Sequence, residues 1–414
     1  MSPSRLFGSI FAGLVLAACS KITEPKGAPA ELHALPRDLS ATEQELIDAS
    51  NSFSFALWSK VSGAQPNQNV FISPLSASFA LGMTLNGAAN QSFDQMRAAL
   101  QVAAVSQQDI NAGYKSLTAL LTSLDPSVTM RIANSIWYRQ TFPVNQSFID
   151  AGKSYFDADV AGLNFNDASG SLGTINGWVN QKTNGKIPSV LSAIDTAEVM
   201  FLINALYFHG GWRAKFDPSK TTDDLFTTAP GVTQPMRLMH RQDGMQYSVT
   251  PTYQAVDLPY GNGAFSMTVV LPNAGTDIET LSAGLTQASW RSLVASFDSV
   301  EIELSLPKFT LKYERTMNDD LKGLGMIAPF DPQQADFSRM SPLGNQLFIN
   351  FVKQNTFVNV DEEGTEAAAV TVVGVTPTSF HPVPEMRVDR PFLFVIRERL
   401  SGTVLFMGKV VRLP

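Results

Sequence analysis

The stretch Asp361-Glu362-Glu363-Gly364-Thr365-Glu366-Ala367-Ala368-Ala369-Val370-Thr371 is the most informative part of this chain. It begins with acidic residues typical of a solvated turn and ends with small residues typical of a buried strand. At the two-residue period of a strand, one face carries only small or uncharged side chains: Thr365, Ala367, Ala369, Thr371, Val373 and Val375. The other face carries Glu366, which could not be buried without a partner. The segment is therefore suited both to water and to insertion into a sheet, although an Ala-rich run after Thr365-Glu366 could also begin a helix.

Length and charge limit the possible classes of protein. The chain has 414 residues, of which 44% are hydrophobic and 16% are charged, so a large core is possible. Its net charge is −7 and no run of Lys and Arg offsets the acidity, which argues against nucleic acid as a partner. The length favours two domains, but no linker follows residue 40. We therefore expect one domain over Ala41–Pro414.

The N-terminus has the pattern of an export signal. Arg5 precedes the apolar run Leu6–Leu16, which is too short to span a bilayer as a mature helix and ends in Leu16-Ala17-Ala18-Cys19. This ending resembles a bacterial lipobox and implies a signal peptide over residues 1–18, lipidation of Cys19 and a flexible tether over residues 19–40. The alternative is a plain signal peptide in which Cys19 is incidental. Cys19 is the only cysteine, so no disulfide within the chain is expected.

This pattern predicts an exported protein, either extracellular or lipid-anchored to the cell envelope. The anchor would be its only contact with a membrane. Ser20 after the cysteine resembles the sorting pattern for the outer membrane in Gram-negative bacteria.

Apolar periodicity predicts helices first and long strands later. Helices are expected at Glu43–Val61, at Pro74–Leu85 and at Asn176–Thr183, the last ending before Gly185. Strands are expected at five later segments: Ala264–Leu271, Val300–Leu311, Leu347–Val360, Phe392–Ile396 and Thr403–Val410. This order indicates an α+β fold with a large sheet.

The sequence offers no catalytic or cofactor motif. It lacks the Gly-x-Ser-x-Gly elbow, the His-Glu-x-x-His pair, the phosphate-binding loop and the dinucleotide-binding glycines. Its four histidines, His33, His209, His240 and His381, are far apart. His240 could find Asp and Ser partners only through the fold. We therefore expect no enzyme activity, no metal site and no cofactor.

Five further segments resemble those of one family. In chain order they are Asn69–Ser76 ("NVFISPLS"), Ile175–Ile187, Leu202–Trp212 ("LINALYFHGGW"), Asp389–Phe394 and Phe406–Val410. Together with the segment around Gly364, this ordered set resembles the serpins, and with Cys19 a bacterial lipoprotein member. The resemblance implies a monomer with a large central, mostly antiparallel sheet, smaller sheets, about eight to nine helices and an exposed reactive-centre loop at about residues 362–388.

The resemblance also implies a mechanism. A target serine protease attacks the loop and forms an acyl-enzyme, and the cut loop then inserts into the central sheet and distorts the protease. The hinge of that loop corresponds to Gly364, Thr365, Glu366, Ala367, Ala368 and Ala369. A non-inhibitory serpin that binds or carries another molecule is the alternative. Such members often carry charged, bulky or Pro residues in the hinge, which the chain lacks from Gly364 to Ala369 apart from the outward Glu366.

Two groups of residues match positions that control sheet opening in serpins. Ser73, Ser76 and Asn204 match a polar cluster beneath the opening strands, and Gln354 stands where the family usually has histidine. Gln can donate and accept hydrogen bonds as a neutral His does. A second group matches the top of the sheet: Trp212, Lys308 and Glu362, the last two as an ion pair.

The scissile bond has two candidate positions. Counting from Gly364 gives Thr378-Ser379, whereas counting back from Pro391 gives Phe380-His381. We favour Thr378-Ser379 because insertion constrains the length on the hinge side. Thr378 would suit elastase-like or subtilisin-like proteases, and Phe380 a chymotrypsin-like one. No Lys or Arg lies between Gly364 and His381, which disfavours trypsin-like targets, while cysteine proteases stay possible.

Overall fold

The computed structural model describes residues 29–195, 197–365 and 383–414. The α-helices in these residues are α1 Ala41–Gly63, α2 Pro74–Leu85, α3 Asn90–Ala99, α4 Gln107–Ser123, α5 Gln146–Phe156, α6 Ala168–Lys182, α7 Ile278–Ala283, α8 Gln287–Ala295 and α9 Asn318–Lys322. The strands are β1 Val70–Ile72, β2 Val128–Arg139, β3 Asp159–Leu163, β4 Met200–Gly211, β5 Thr222–Ala229, β6 Val232–Val249, β7 Tyr253–Pro259, β8 Phe265–Pro272, β9 Asp298–Pro307, β10 Phe309–Thr316, β11 Lys353–Val360, β12 Gly364–Thr365, β13 Glu385–Arg387, β14 Phe392–Glu398 and β15 Val404–Val410. The α+β prediction is confirmed.

The strands form three sheets in the described residues. The largest has nine strands in the order β1-β15-β14-β8-β7-β6-β9-β13, with β5 beside β6, and all its pairs are antiparallel except β9 with β13. A second sheet has the order β12-β4-β2-β3, and β10 pairs with β11 in a third. The strands β4 and β11, which flank the hinge turn, therefore belong to different sheets. We call the gap between β4 and β11 the cleft.

Strand β4 packs against a hydrophobic cluster on each of its faces. Phe208 and Leu206 point into the main hydrophobic core beneath the sheet. Phe201, Ile203 and Ala205 alternate with them and contribute to a second core on the side of α6. This alternation follows from the two-residue period of a strand. Within the described residues, no helix is both long and apolar enough to cross a membrane.

Local sequence sets the boundaries of α2, which lies beneath the cleft. Ser73 caps the helix, its Oγ accepting from Ser76 N at 3.3 Å, and Pro74 occupies the first turn. The helix ends at Leu85, as the sequence predicts, and nearly all of its residues are buried.

Two predicted strands differ from the structure because backbone groups are bound elsewhere. The strand expected over Val300–Leu311 breaks at Lys308, whose N donates to Arg237 O at 2.9 Å. The strand expected over Leu347–Val360 begins only at Lys353. Before it, Val352 N donates to the side chain of Asn318 at 2.8 Å. These are tertiary contacts that strand periodicity does not encode.

Part of the predicted tether lies against the domain. Leu32, Leu35 and Leu39 pack on the main core. Leu32 N also donates to Asn262 O at 2.8 Å. Residues 29–40 are thus in contact with the body before α1 begins. Because the three leucines are spaced among Pro and charged residues, the composition of the segment did not predict that it packs against the domain.

Candidate functional site

A tight turn joins β11 to the hinge strand β12. Asp361 N donates to Gly364 O at 3.0 Å and Gly364 N donates to Asp361 O at 3.3 Å, so Glu362 and Glu363 form a two-residue hairpin turn. The sequence suggested a solvated turn, but these acidic residues are not solvated in the structure. The side chain of Glu362 is 7% exposed, and that of Glu363 is held by Lys215 Nζ at 2.6 Å.

The first two hinge residues already pair with the sheet. Gly364 is opposite Gly211 and Thr365 is opposite Gly210, antiparallel to β4. Thr365 is 5% exposed and its hydroxyl lies 2.8 Å from the hydroxyl of Tyr260. Burial raises the pKa of Tyr260, so its hydroxyl stays protonated at neutral pH. The hinge is seated at one end of the cleft.

Gly364 cannot be replaced at this seat without movement of the backbone. Its φ is +146°, in a region that other residues rarely adopt. A Cβ atom would also lie 2.3 Å from Gly210 O and 2.6 Å from Gly211 Cα. The close approach of the two strands therefore requires glycine here.

Trp212 lies where β4 meets the hinge turn. Its indole stacks on Tyr260 with ring centroids 4.5 Å apart, and it is 3% exposed. Its Nε1 donates to Asp361 O at 2.9 Å, and its backbone N donates to Glu363 O at 2.8 Å. Trp212 thus binds the turn from both its side chain and its backbone.

Lys308 and Glu362 lie together at the same end. Lys308 Nζ is 2.5 Å from Glu362 Oε2, and Thr221 Oγ1 donates to Glu362 Oε1 at 2.7 Å. Burial alone would raise the pKa of Glu362, but the hydrogen bonds from Lys308 and Thr221 outweigh it and hold the pKa below its ordinary value. The carboxylate is therefore charged at neutral pH.

The four residues of the predicted polar cluster form two connected chains. Gln354 bridges the backbone of Ser73: its Nε2 donates to Ser73 O at 2.7 Å and its Oε1 accepts from Ser73 N at 2.8 Å. Ser76 Oγ donates to Asn204 Oδ1, and Asn204 Nδ2 donates to Asn134 Oδ1 at 2.8 Å. The bond from Ser76 N to Ser73 Oγ joins the two chains.

Sequence reasoning missed several residues that complete the site. Asn134 lies on β2, opposite Asn204 of β4, and its neighbours on the same inward face of β2 are apolar. A polar residue at an inward strand position was the available signal. Tyr260 and Thr221 contact the hinge from distant segments, and no spacing in the sequence links them to it.

The cleft contains a cavity of about 640 Å³. Ser73, Ser76, Asn204 and Gln354 are among the residues that line it. Its apolar part is lined by Leu191, Leu202, Phe351, Val352, Phe337 and Met340. Among the described residues, β11 pairs only with β10, and β4 pairs on this side only with the two residues of β12. Two strand edges with open hydrogen-bonding positions therefore face each other across an apolar space.

The remaining predicted site residues lie outside the described residues. They are Cys19, Glu366, Ala367, Ala368, Ala369, Thr378, Ser379, Phe380 and His381. The chain is described again from Val383, and β13 runs parallel to β9 with Glu385 opposite Glu303. Lys308, which holds the hinge turn, follows β9 directly, so the segment after the expected loop pairs with the strand that leads to Lys308.

In the described residues, both ring nitrogens of His240 lie close to hydroxyl groups. Its Nδ1 lies 2.9 Å from Ser305 Oγ and its Nε2 lies 2.9 Å from Thr222 Oγ1. Both hydroxyls belong to strands of the largest sheet, and Ser305 is buried. Among the described residues, no group of three or more His, Cys, Asp and Glu is placed to hold a metal ion.

Comparison with known proteins places the chain in a family. A family model described as "Serpin (serine protease inhibitor)" matches residues 48–413. Human leukocyte elastase inhibitor is 31% identical over 88% of this chain and 99% of its own length. Serpin B6 of Pongo abelii is 34% identical over 88% of this chain and 98% of its own.

Solved structures agree. Tengpin, a thermophilic serpin in the native state, has a TM-score of 0.81 and 31% identity over 93% of this chain and 97% of its own. Human thyroxine-binding globulin has a TM-score of 0.82 and 25% identity over 90% of this chain and 99% of its own. The chain belongs to the serpin family.

Proposed function

We propose that this protein is an irreversible, suicide-type inhibitor of serine endopeptidases. The cleft carries the proposal, because the hinge strand β12 already fills one end of a gap between two open strand edges. After a protease cuts the loop, the segment that follows Thr365 extends β12 along β4 and β11. Insertion before deacylation then carries the bound protease away from the hinge and distorts its active site.

The register of the hinge predicts which loop residues meet the polar cluster. Continued without a shift along β4, the pairing of Thr365 with Gly210 brings Thr371 opposite Asn204. Continued along β11, the hairpin between Asp361 and Gly364 brings Thr371 opposite Gln354. Both registers therefore place Thr371 at the level of the polar cluster. Thr371, the inward hydroxyl in the middle of the loop, would enter the cleft between the side-chain amides of Asn204 and Gln354, where a polar group can be satisfied.

The same register supports the favoured scissile bond. Val375 would lie opposite Met200, the first residue of β4, so the ladder ends there. Pro377 could not donate a ladder hydrogen bond in any case. A cut at Thr378-Ser379 leaves three residues beyond the end of β4, whereas a cut at Phe380-His381 leaves five.

The loop sequence suggests the class of target. Thr378 after Pro377 suits elastase-like or subtilisin-like proteases, and the relatives named leukocyte elastase inhibitor support this choice. Phe380 would suit a chymotrypsin-like protease. The absence of Lys and Arg from Gly364 to His381 disfavours trypsin-like proteases. A cysteine protease as target is the cross-class alternative.

A carrier function is the second candidate, because thyroxine-binding globulin has the same fold. The hinge favours inhibition instead. Thr365 is small and already buried in the sheet, and the inward residues after it are small or uncharged. No charged or bulky side chain would oppose insertion on that face.

We further propose that a lipid on Cys19 anchors the exported monomer to the cell envelope, which is the outer membrane in a Gram-negative host. The inhibitor needs no cofactor. Incorporation of labelled palmitate should be lost in Cys19→Ala, and incorporation that survives this change would defeat the anchoring.

A gel and mass-spectrometry assay tests the inhibition. The chain from Pro29 onward, which keeps the docked residues, is mixed separately with pancreatic elastase, subtilisin, chymotrypsin and trypsin. We expect a covalent band at the combined mass and a released peptide that starts at Ser379. A peptide starting at His381 would move the scissile bond to Phe380-His381. Loop cleavage without a covalent band, with the proteases still active, would favour the carrier function.

A further inference from the structure

The N-terminal residues reach the body at the hinge end of the molecule. Arg213, which follows Trp212, donates from Nη1 to Pro29 O at 2.7 Å. Its Nε lies 3.8 Å from Glu31 Oε2, and Arg399 Nη1 lies 3.4 Å from Glu31 Oε1. Arg213 is 9% exposed, so Glu31 binds a nearly buried guanidinium. Pro29, the first described residue, therefore contacts the neighbour of the tryptophan that holds the hinge turn.

This attachment leaves a short tether if Cys19 carries a lipid. Residues 19–28 span at most about 35 Å when fully extended. A flexible coil of ten residues would have a mean reach of roughly 17 Å. The opposite end of the protein is farther away, because a strand of twelve residues such as β4 is about 36 Å long. Asn350, which donates to Glu198 near the start of β4, marks that far end.

From this geometry we infer that the anchored protein presents its reactive-loop end toward the lipid surface, and that its targets are proteases held at that same surface. The inference rests on the proposed lipidation and inhibition. A soluble protease of about 220 residues has a radius of gyration near 17 Å, so its diameter is more than twice the mean reach of the tether. A protease anchored in the same membrane avoids this obstacle and gains from a high effective concentration.

The orientation is tested by energy transfer on the full-length lipidated protein in vesicles that carry an acceptor dye. Lipidated Cys19 does not react, so a single introduced cysteine takes the donor dye. Lys220→Cys marks the hinge end and Asn350→Cys marks the far end; both positions are exposed. We expect clearly stronger transfer from position 220. Equal transfer, or stronger transfer from position 350, would overturn the orientation even if inhibition holds.

Matched charge changes test the role of the docked residues. Glu31→Lys places a cation beside Arg213 and Arg399 and should release residues 29–32, which reduces the difference in transfer between the two dyes. Asp38→Lys makes the same charge change at an exposed position of the same segment and should keep the difference. An unchanged difference in Glu31→Lys would show that this contact does not set the orientation.

The choice of target is tested by kinetics with the protease that forms the covalent band. The vesicle-bound inhibitor should react at least about fivefold more slowly with that protease in solution than soluble Cys19→Ala does. A flexible Gly/Ser insert of about twenty residues after Lys21 should restore the rate of reaction with the soluble protease. The same protease tethered to the inhibitor's vesicles should react faster than the soluble protease does. Equal rates in solution and on vesicles would overturn the preference for surface-held proteases. Failure of the protein to float with vesicles would overturn the anchoring, whereas loss of the covalent band everywhere would overturn the inhibition.

Discussion

Gln354 of β11 clamps the backbone of Ser73 at the start of α2, with its amide donating to Ser73 O at 2.7 Å and accepting from Ser73 N at 2.8 Å. This pair ties one edge of the cleft to the helix beneath it. The other edge is tied separately, through Asn204 and Ser76. Opening of the cleft therefore depends on two attachments to the same helix, which are joined by the hydrogen bond from Ser76 N to Ser73 Oγ.

The Gln354 clamp predicts an effect of Gln354→Glu. A carboxylate cannot donate to Ser73 O, and it would place a charge against that carbonyl in a buried site. We expect the free energy of unfolding to fall by about 1–3 kcal/mol, together with faster loss of inhibitory activity on incubation. Chemical denaturation and residual-activity assays measure both. The exposed Gln140→Glu is the matched control, and equal stability of the two variants would contradict the role of the clamp.

Thr365 predicts a switch from inhibitor to substrate. Thr365→Arg would place a long cation where the native side chain is 5% exposed and bonds Tyr260. Insertion should then be slower than hydrolysis of the acyl-enzyme. The number of inhibitor molecules consumed per protease should rise at least about tenfold, because a barrier raised by 1.4 kcal/mol slows a step tenfold. Thr227→Arg, at an exposed position of β5, should leave this ratio unchanged.

Local signals in the sequence predicted the elements that local chemistry determines. The apolar run Pro74–Leu85 predicted α2 with the bounds that the structure has, and Thr365, which was expected on the inward face of the hinge, is buried. The family resemblance supplied Lys308 and Glu362, which the structure brings to 2.5 Å.

Contacts between distant segments were not predictable in this way. Asn318 takes the backbone of Val352 and shortens the strand expected there. Tyr260 reaches Thr365 across 105 positions of sequence. Glu31 is bound by two arginines from separate strands or loops. The periodicity of apolar residues does not predict such contacts, because each contact depends on how whole elements pack against one another.

The close packing around Gly364 predicts that a larger residue at this position would displace the hinge from β4. In Gly364→Ala, the new Cβ would lie 2.3 Å from Gly210 O in a backbone conformation with φ +146°. The hinge should leave β4, so hydrogen exchange at the amide of Thr365 should become faster. The free energy of unfolding should fall by about 1–3 kcal/mol. Gly173→Ala in α6 has open space around its Cβ and should be neutral or slightly stabilising. Unchanged exchange at Thr365 would show that glycine is not required.

The ion pair of Lys308 and Glu362 predicts a dependence on pH. The pKa of Glu362 is lower in the folded protein than in the unfolded chain, so its contribution to stability is complete above the unfolded pKa of about 4.5 and is lost as pH falls through the lower folded pKa. Glu362→Gln should remove this part of the acid sensitivity. Thermal unfolding at pH 7 and pH 3.5 should show a smaller difference for the variant than for the native protein. An identical difference would assign the acid sensitivity to other carboxylates.

Thr371 predicts how stable the protein becomes once its loop is cut. If Thr371 enters the cleft between Asn204 and Gln354, Thr371→Val loses a hydrogen bond only in the inserted state. The cleaved form of the variant should then be less stable than cleaved native protein by about 1–2 kcal/mol, whereas the two intact forms should unfold alike. Thr376→Val, beyond the pairing limit at Met200, is the matched control. Equal stability of all cleaved forms would contradict the register that places Thr371 at the polar cluster.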